Sequence, residues 1–297
     1  MFALTIFIVK NMPQLQTPLC ISSAPGQPTG IDCHAHVVRR DAPLSPLRHS
    51  SPTADASADE LLANMDRNNI SNAVLTAPSF YGNDNSLLLE ALAQGNGRFL
   101  GTAQVAPGTS ESELIELASH GVCGLRLNWW QLPNRPDPAD AEYQRLFRNA
   151  SKLGMHIEVL IEPEHLSGVG QVVLDAGADL VIDHFGLIND LSTPSGSVVA
   201  EFLATGRTWV KLSAPYRLAI SDHALQLARQ LQEERGDRIL WGSDWPWISH
   251  ENVGLRYDDL LGQLGFWFPE LERQRQILVE NPTRLFADFL QNAIKGA

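Results

Sequence analysis

The sequence predicts an α/β fold, a single (β/α)8 TIM barrel. Eight short runs rich in apolar and β-branched residues alternate with helical stretches, and the unit recurs at roughly 30 residues, the size of one strand–helix repeat. The end of the first run separates a barrel from a doubly wound sheet. A dinucleotide-type sheet would carry a glycine-rich phosphate loop there, whereas this chain reads Asp32-Cys33-His34-Ala35-His36.

The strands are expected, in order, at 31–36, 72–78, 99–105, 122–129, 156–161, 180–185, 209–213 and 239–243. Each is a short apolar run bounded by polar or turn-forming residues. Helices are expected between them at 58–68, 86–94, 110–119, 139–153, 164–176, 197–204 and 222–234. Asp59-Glu60-Leu61-Leu62-Ala63-Asn64-Met65 has the amphipathic spacing of a helix that buries one face, and Ser221 before Asp222 suits an N-cap.

At 297 residues and 44% hydrophobic, the chain can bury one large core, and the alternation assigns residues 30–297 to one barrel. Residues 1–29 are expected to form an irregular N-terminal extension, because the stretch 13–30 is dominated by Pro, Gly, Gln, Ser and Thr. The apolar run 2–9 is followed, not preceded, by Lys10, which is the wrong polarity for a signal peptide. A net charge of −12 argues against a nucleic-acid-binding face, and no apolar run is long enough to span a membrane. Cys20, Cys33 and Cys123 are odd in number and dispersed, as expected of reduced thiols in a cytoplasmic protein rather than a disulfide framework.

Barrel enzymes place their chemistry at the C-terminal ends of the strands. His34 and His36 stand at the end of the first strand, and alternation turns both to one side, with Cys33 and Ala35 on the other. Two imidazoles spaced about 7 Å along a strand can converge on one metal ion or one carbonyl oxygen. The sixth strand ends in Asp183-His184-Phe185-Gly186 and the eighth in Ser243-Asp244-Trp245-Pro246. A lone His or Asp at a strand end is more often a structural hydrogen-bonding group. Four such groups at corresponding ends point instead to one catalytic site of His34, His36, His184 and Asp244. Arg126 and Asn128 share a face at the end of the fourth strand and would meet an anionic small-molecule substrate. Tyr81, Trp129, Trp130 and Trp247 are candidates for lining the same rim, whereas His49, His120, His165 and His223 are expected in solvated loops or helices.

Ester hydrolysis needs an activated water, a polarised carbonyl and a proton for the departing oxygen. Asp244 can take and return the proton, and the histidines can polarise the carbonyl directly or through an ion. No serine-centred nucleophile turn is visible, which disfavours a covalent acyl-enzyme.

These residues carry a resemblance. Asp32-Cys33-His34-Ala35-His36, Val181-Ile182-Asp183-His184-Phe185-Gly186, Val210-Lys211-Leu212-Ser213, Trp241-Gly242-Ser243-Asp244-Trp245-Pro246 and Asn281-Pro282-Thr283-Arg284-Leu285-Phe286 resemble the amidohydrolase-2 branch of the amidohydrolase superfamily. The group of lactonases acting on pyrone dicarboxylates and sugar acids is the nearest in pattern. The resemblance implies ring-opening hydrolysis of a carboxylated lactone, and it implies that Arg217, in Ser213-Ala214-Pro215-Tyr216-Arg217, binds substrate. The chain departs from metal-rich relatives at the fifth strand, where Val159, Leu160 and Ile161 stand in place of a ligand, with Glu162 a poorly placed substitute and His156 at the opposite end. A binuclear centre is therefore not expected: the site holds one divalent ion, Zn2+ on His34, His36 and Asp244, or works with none. A metal-dependent decarboxylase of the same branch and a non-catalytic ligand-binding barrel are the alternatives, and a homo-oligomer is left open.

Overall fold

The computed structural model describes residues 28–219 and 223–296. The expected N-terminal extension and the Ser221 cap fall outside them, apart from residues 28 and 29. Eight parallel strands pair in sequence order: β1 (Ile31–Ala35), β2 (Asn72–Thr76), β3 (Phe99–Ala103), β4 (Val122–Asn128), β5 (His156–Leu160), β6 (Leu180–Ile182), β7 (Thr208–Leu212) and β8 (Ile239–Trp241). The ring closes just past β8, where Ala35 bridges Trp245 and the amide of His36 donates to the Trp245 carbonyl at 2.8 Å.

Helices α1 (Ala58–Arg67), α2 (Ser86–Gln94), α3 (Glu111–Ser119), α4 (Ala141–Lys152), α5 (Leu166–Asp175), α6 (Pro194–Ala204) and α7 (Ala224–Arg235) follow the first seven strands. Their starts are set by local chemistry. Ser57 and Ser110 each form a reciprocal capping box, with Glu60 and Glu113, and Thr193 caps α6 directly before Pro194. Each helix turns an apolar stripe inward, such as Leu61 and Met65 of α1 or Leu227 and Leu231 of α7, all buried against the sheet. Truncating one such leucine to alanine costs about 2–5 kcal/mol. The sequence reading stopped at the eighth strand and missed α8 (Tyr257–Trp267) and the C-terminal helices that follow it. None of the described helices is long and apolar enough to cross a membrane.

A second apolar cluster draws Ile31, Cys33, Val74, Leu100, Cys123, Val181, Trp209 and Leu240 from seven of the strands, so it fills the barrel axis. Phe286 and Leu290 plug it from below. Cys33 therefore lies inside the barrel with the two histidines, not opposite them. The cause is a bulge in β1: Asp32 pairs with Ala73 but Ala35 with Leu75, so three residues of β1 span two of β2 and strict alternation fails.

Candidate active site

The site stands at the top of the axial plug, where the ends of β1, β6 and β8 bring their polar groups together. Strand β8 approaches β1 so closely that a side chain on Gly242 would meet the His34 Cβ at 2.5 Å. With glycine there, the Asp244 amide donates to the His34 carbonyl at 2.8 Å, and Asp32 ties the joint by accepting from the Ser243 amide (2.9 Å) and the Tyr257 hydroxyl (2.9 Å). His184 and Asp244 have φ near 51° and 53°, a left-handed conformation that costs L-residues free energy. That turn ends the strand and breaks alternation, so both Asp183 and His184 reach the interior.

The four expected catalytic residues come together and are almost fully buried. Asp244 Oδ1 is the common point: His36 Nε2 lies 3.2 Å away, His34 Nε2 3.5 Å and His184 Nε2 4.0 Å. His36 Nδ1 sits 2.6 Å from the Thr76 carbonyl oxygen, which can only accept, so Nδ1 carries a proton, and Nε2 is the nitrogen that meets Asp244. His184 Nδ1 pairs with the Ser213 hydroxyl at 2.8 Å. On the far side of the carboxylate, Oδ2 accepts from the Tyr216 hydroxyl (2.6 Å) and from Arg217 Nε (3.1 Å).

Beneath His34 lies a buried ionic layer that the sequence reading did not identify. Lys211 Nζ contacts Glu158 Oε2, Asp183 Oδ1 (3.3 Å) and His34 Nδ1 (3.2 Å), while Arg126 reaches Asp183 Oδ2 (2.9 Å) and Glu158 Oε1 (3.2 Å). The signal was available: Glu158 between Ile157 and Val159, and Lys211 between Val210 and Leu212, are charges inside buried strands, which persist only when paired.

Burial opposes every one of these charges, and their partners decide the outcome. Burial and Asp183 push Glu158 up, but Lys211 and histidine contacts outweigh them and hold it at about 2. Asp183 is raised by burial yet kept well below the usual carboxylate range by Lys211, His34 and Arg126. Asp244 behaves alike, with Arg217 and His184 overcoming burial. Lys211 is lowered by burial but raised overall by Asp183 and Glu158, so it is an ammonium. Burial dominates for the histidines: His34 falls to about 4 and His184 falls well below its ordinary value, so both are neutral near pH 7.

Above this floor opens a cavity of about 190 Å³ walled by His36, His49, Ser50, Ser79, Arg126, Asn128, Trp130, Leu160, His184, Arg217 and Asp244, among others. Arg126, Asn128 and Arg217 thus reach the wall, although both arginines are also counter-ions of interior carboxylates. Two expected binding residues are placed elsewhere. The Tyr81 hydroxyl donates to the Arg39 carbonyl at 2.7 Å and so fastens the β1–α1 loop, and Trp129 packs its ring on Tyr143 in the outer core. Trp247 is likewise turned away, its indole bound to the Ser243 carbonyl. In compensation, the β1–α1 loop carries His49, in an exposed loop as expected, to the rim of the cavity, where it meets Asn128 Oδ1 at 3.2 Å. Loop reach of this kind leaves no periodic trace in a sequence. His156 packs on Phe286 at the base of the barrel, and Glu162 is spent on the Gln131 amide and Arg135.

The donor set fits one divalent ion. The oxygen and nitrogens of Asp244, His34 and His36 lie within 4.8 Å of one another. His36 Nε2 lies 3.2 Å from Asp244 Oδ1, and His34 Nε2 is buried without a hydrogen-bond partner. The β5 end offers Leu160 to the cavity and supplies no further ligand.

The chain is 27% identical over 277 residues to a 4-sulfomuconolactone hydrolase of Hydrogenophaga intermedia, an alignment covering 90% of this chain and 91% of that protein. It is 29% identical over 277 residues to a 2-pyrone-4,6-dicarboxylate hydrolase of Comamonas testosteroni, covering 86% and 89%. The crystal structure of a probable 2-pyrone-4,6-dicarboxylic acid hydrolase of Acinetobacter baumannii with citric acid bound superposes with a TM-score of 0.82 at 30% identity, covering 87% of this chain and 99% of that one. The Amidohydrolase family profile matches residues 31–287, and the chain belongs to that family.

Proposed function

We infer that the protein is a hydrolase that opens the ring ester of a carboxylated lactone. The observation that carries this reading is the cavity floor: one ionised carboxylate, Asp244, ringed by imidazoles, beneath walls that carry Arg126 and Arg217. Relatives named as hydrolases of a sulfonated muconolactone and a pyrone dicarboxylate support the same substrate class.

The arginines and Asn128 bind the substrate carboxylate and place the lactone carbonyl over Asp244. Asp244 Oδ1 takes a proton from water as its oxygen attacks the acyl carbon. The imidazoles of His36 and His184 stand beside the oxygen that becomes negative. When the tetrahedral centre collapses, the acyl C–O bond of the ring breaks, and Asp244 returns the proton to the ring oxygen, which leaves as a hydroxyl. The products are one hydroxyl and one carboxyl group on the same opened chain, and the carboxyl releases its proton to solvent to become a carboxylate. An ion held by His34, His36 and Asp244 would supply Lewis-acid polarisation of the carbonyl and a more acidic water. The buried free thiols Cys33 and Cys123 support a reducing, cytoplasmic location.

A panel of carboxylated and neutral lactones, followed by a pH indicator with and without chelator, tests the reading. The expected result is acid release from carboxylated lactones at the higher kcat/KM. Release of carbon dioxide from aromatic acids, with no lactone opened, would replace it with a decarboxylase.

A further inference from the structure

The polar groups of the cavity wall are divided by charge. Among the described residues, its only guanidinium or ammonium groups are Arg126 and Arg217, and both are already matched to interior carboxylates. Arg126 is the more engaged. Its Nε and Nη2 meet Asp183 Oδ2 at 3.3 and 2.9 Å, its Nη1 donates to the Ala77 carbonyl at 3.0 Å, and its side chain is 3% exposed. Arg217 spends Nε on Asp244 and Nη2 on the Ile248 carbonyl, but a quarter of it is open and its Nη1 donors remain for a ligand. The charge left over on this wall suits one anionic group.

A second set of wall groups is neutral. The β1–α1 loop supplies His49 and Ser50, the end of β2 supplies Ser79, and the end of β4 supplies Asn128. Ser50 Oγ and Ser79 Oγ stand 3.5 Å apart, too far for a strong hydrogen bond, so both hydroxyls keep donor and acceptor capacity. Asn128 gives Oδ1 to His49 Nε2 at 3.2 Å and keeps its amide N–H donors. Partial burial, with repulsion from Arg126 and Arg217, holds His49 below its ordinary value against the Asn128 hydrogen bond, so His49 adds no cation near pH 7. A hydroxyl placed among these groups finds a donor and an acceptor. A carboxylate placed there gives up hydration and gains no counter-ion, which costs far more.

We propose that His49, Ser50, Ser79 and Asn128 determine specificity: they take hydroxyl groups of the substrate and exclude a second anion, so the substrate is a hydroxylated lactone with one free carboxylate. This deepens, and rests on, the reading of the cavity as the site of a carboxylated lactone. The chemical class is the monolactone of a polyhydroxy diacid. One of its carboxyl groups is closed in the ring ester, and the other is free to meet the arginines. A planar, unsaturated lactone with two free carboxylates is the class the wall rejects, since it offers no hydroxyl and one carboxylate too many.

Cyclic ethers, which have no ester to open, read recognition apart from turnover. Calorimetric titration of the full chain compares three of them: a dihydroxytetrahydrofuran-2-carboxylate, the same acid without hydroxyls, and tetrahydrofuran-2,5-dicarboxylate. The hydroxylated monoacid should bind about 10-fold or more tightly than either of the others. Ser79→Ala should cut its lead over the hydroxyl-free acid by about 3-fold or more, because one hydroxyl partner is lost. Equal affinity with and without hydroxyls, a lead unmoved by Ser79→Ala, or a dicarboxylate bound as tightly as the hydroxylated acid would each overturn the proposal. So would a failure of all three to bind. Lactone opening is assayed separately, so hydroxyl selectivity among the ethers with no lactone opened would remove the lactonase reading and leave the specificity wall standing.

Discussion

Arg217 Nε meets Oδ2 of Asp244 at 3.1 Å, so an arginine expected to hold substrate is also the counter-ion of the carboxylate expected to do the chemistry. It is further pinned by Nη2 on the Ile248 carbonyl at 2.9 Å, with about a quarter of its side chain exposed to the cavity. On the proposed reading, substrate binding and proton transfer are therefore coupled through one guanidinium.

Arg217→Met should lower kcat for both a carboxylated and a neutral lactone, because Asp244 loses its counter-ion in each case. KM should rise only for the carboxylated one, which also loses a charge-assisted contact. Steady-state kinetics on the matched pair checks this, and an unchanged kcat with the neutral lactone would show that the pair with Asp244 is idle.

Asp244→Asn removes the proposed proton acceptor while keeping the shape of the side chain. Turnover should fall about 10²-fold or more, with the circular dichroism spectrum unchanged. Near-normal turnover would transfer the role to another group.

Acid should destabilise the barrel through its buried layer. Glu158 titrates near 4.5 when unfolded and about 2 when folded. A depressed carboxylate contributes stability that is fully present above the unfolded value and is lost as pH falls toward the folded one. Thermal midpoints should therefore hold above pH 4.5 and drop between there and pH 2. Glu158→Gln should flatten that drop and lower stability at pH 7 by about 3–5 kcal/mol, since it strands Lys211 without a full partner. An unaltered pH profile in the variant would place the acid sensitivity elsewhere.

Zinc titration of the apoprotein should saturate at one ion per chain, and His36→Ala should abolish tight binding, because the two possible donor groups, His34–His36–Asp244 and His34–Asp183–His184, share His34, and Asp183 is already paired with Arg126 and Lys211. Two tight ions would mean either that Asp183 and His184 hold the second or that the β5 end supplies a ligand after all, for which Glu162 would have to leave Arg135 and the Gln131 amide.

The barrel itself was written in the chain. Apolar runs of strand length separated by capped helices leave little choice of architecture, since the hydrophobic period is a local property that neighbours in sequence express directly. His34, His36, His184 and Asp244 were legible for a related reason: in a barrel, the end of a strand is a place, and polar groups at several ends must meet there. Tertiary structure decided what alternation could not. The β1 bulge put Cys33 in the barrel axis, and left-handed turns at His184 and Asp244 brought adjacent residues to one interior. Tyr81 and Trp129 were lost from the cavity and His49 was gained, because which side of a loop faces the mouth depends on contacts 42 and 79 positions away. The partners of Lys211 and Arg217 were likewise invisible, since β4, β5, β6, β7 and the β8 end are joined there across the barrel, and electrostatic pairing follows distance in space rather than in sequence.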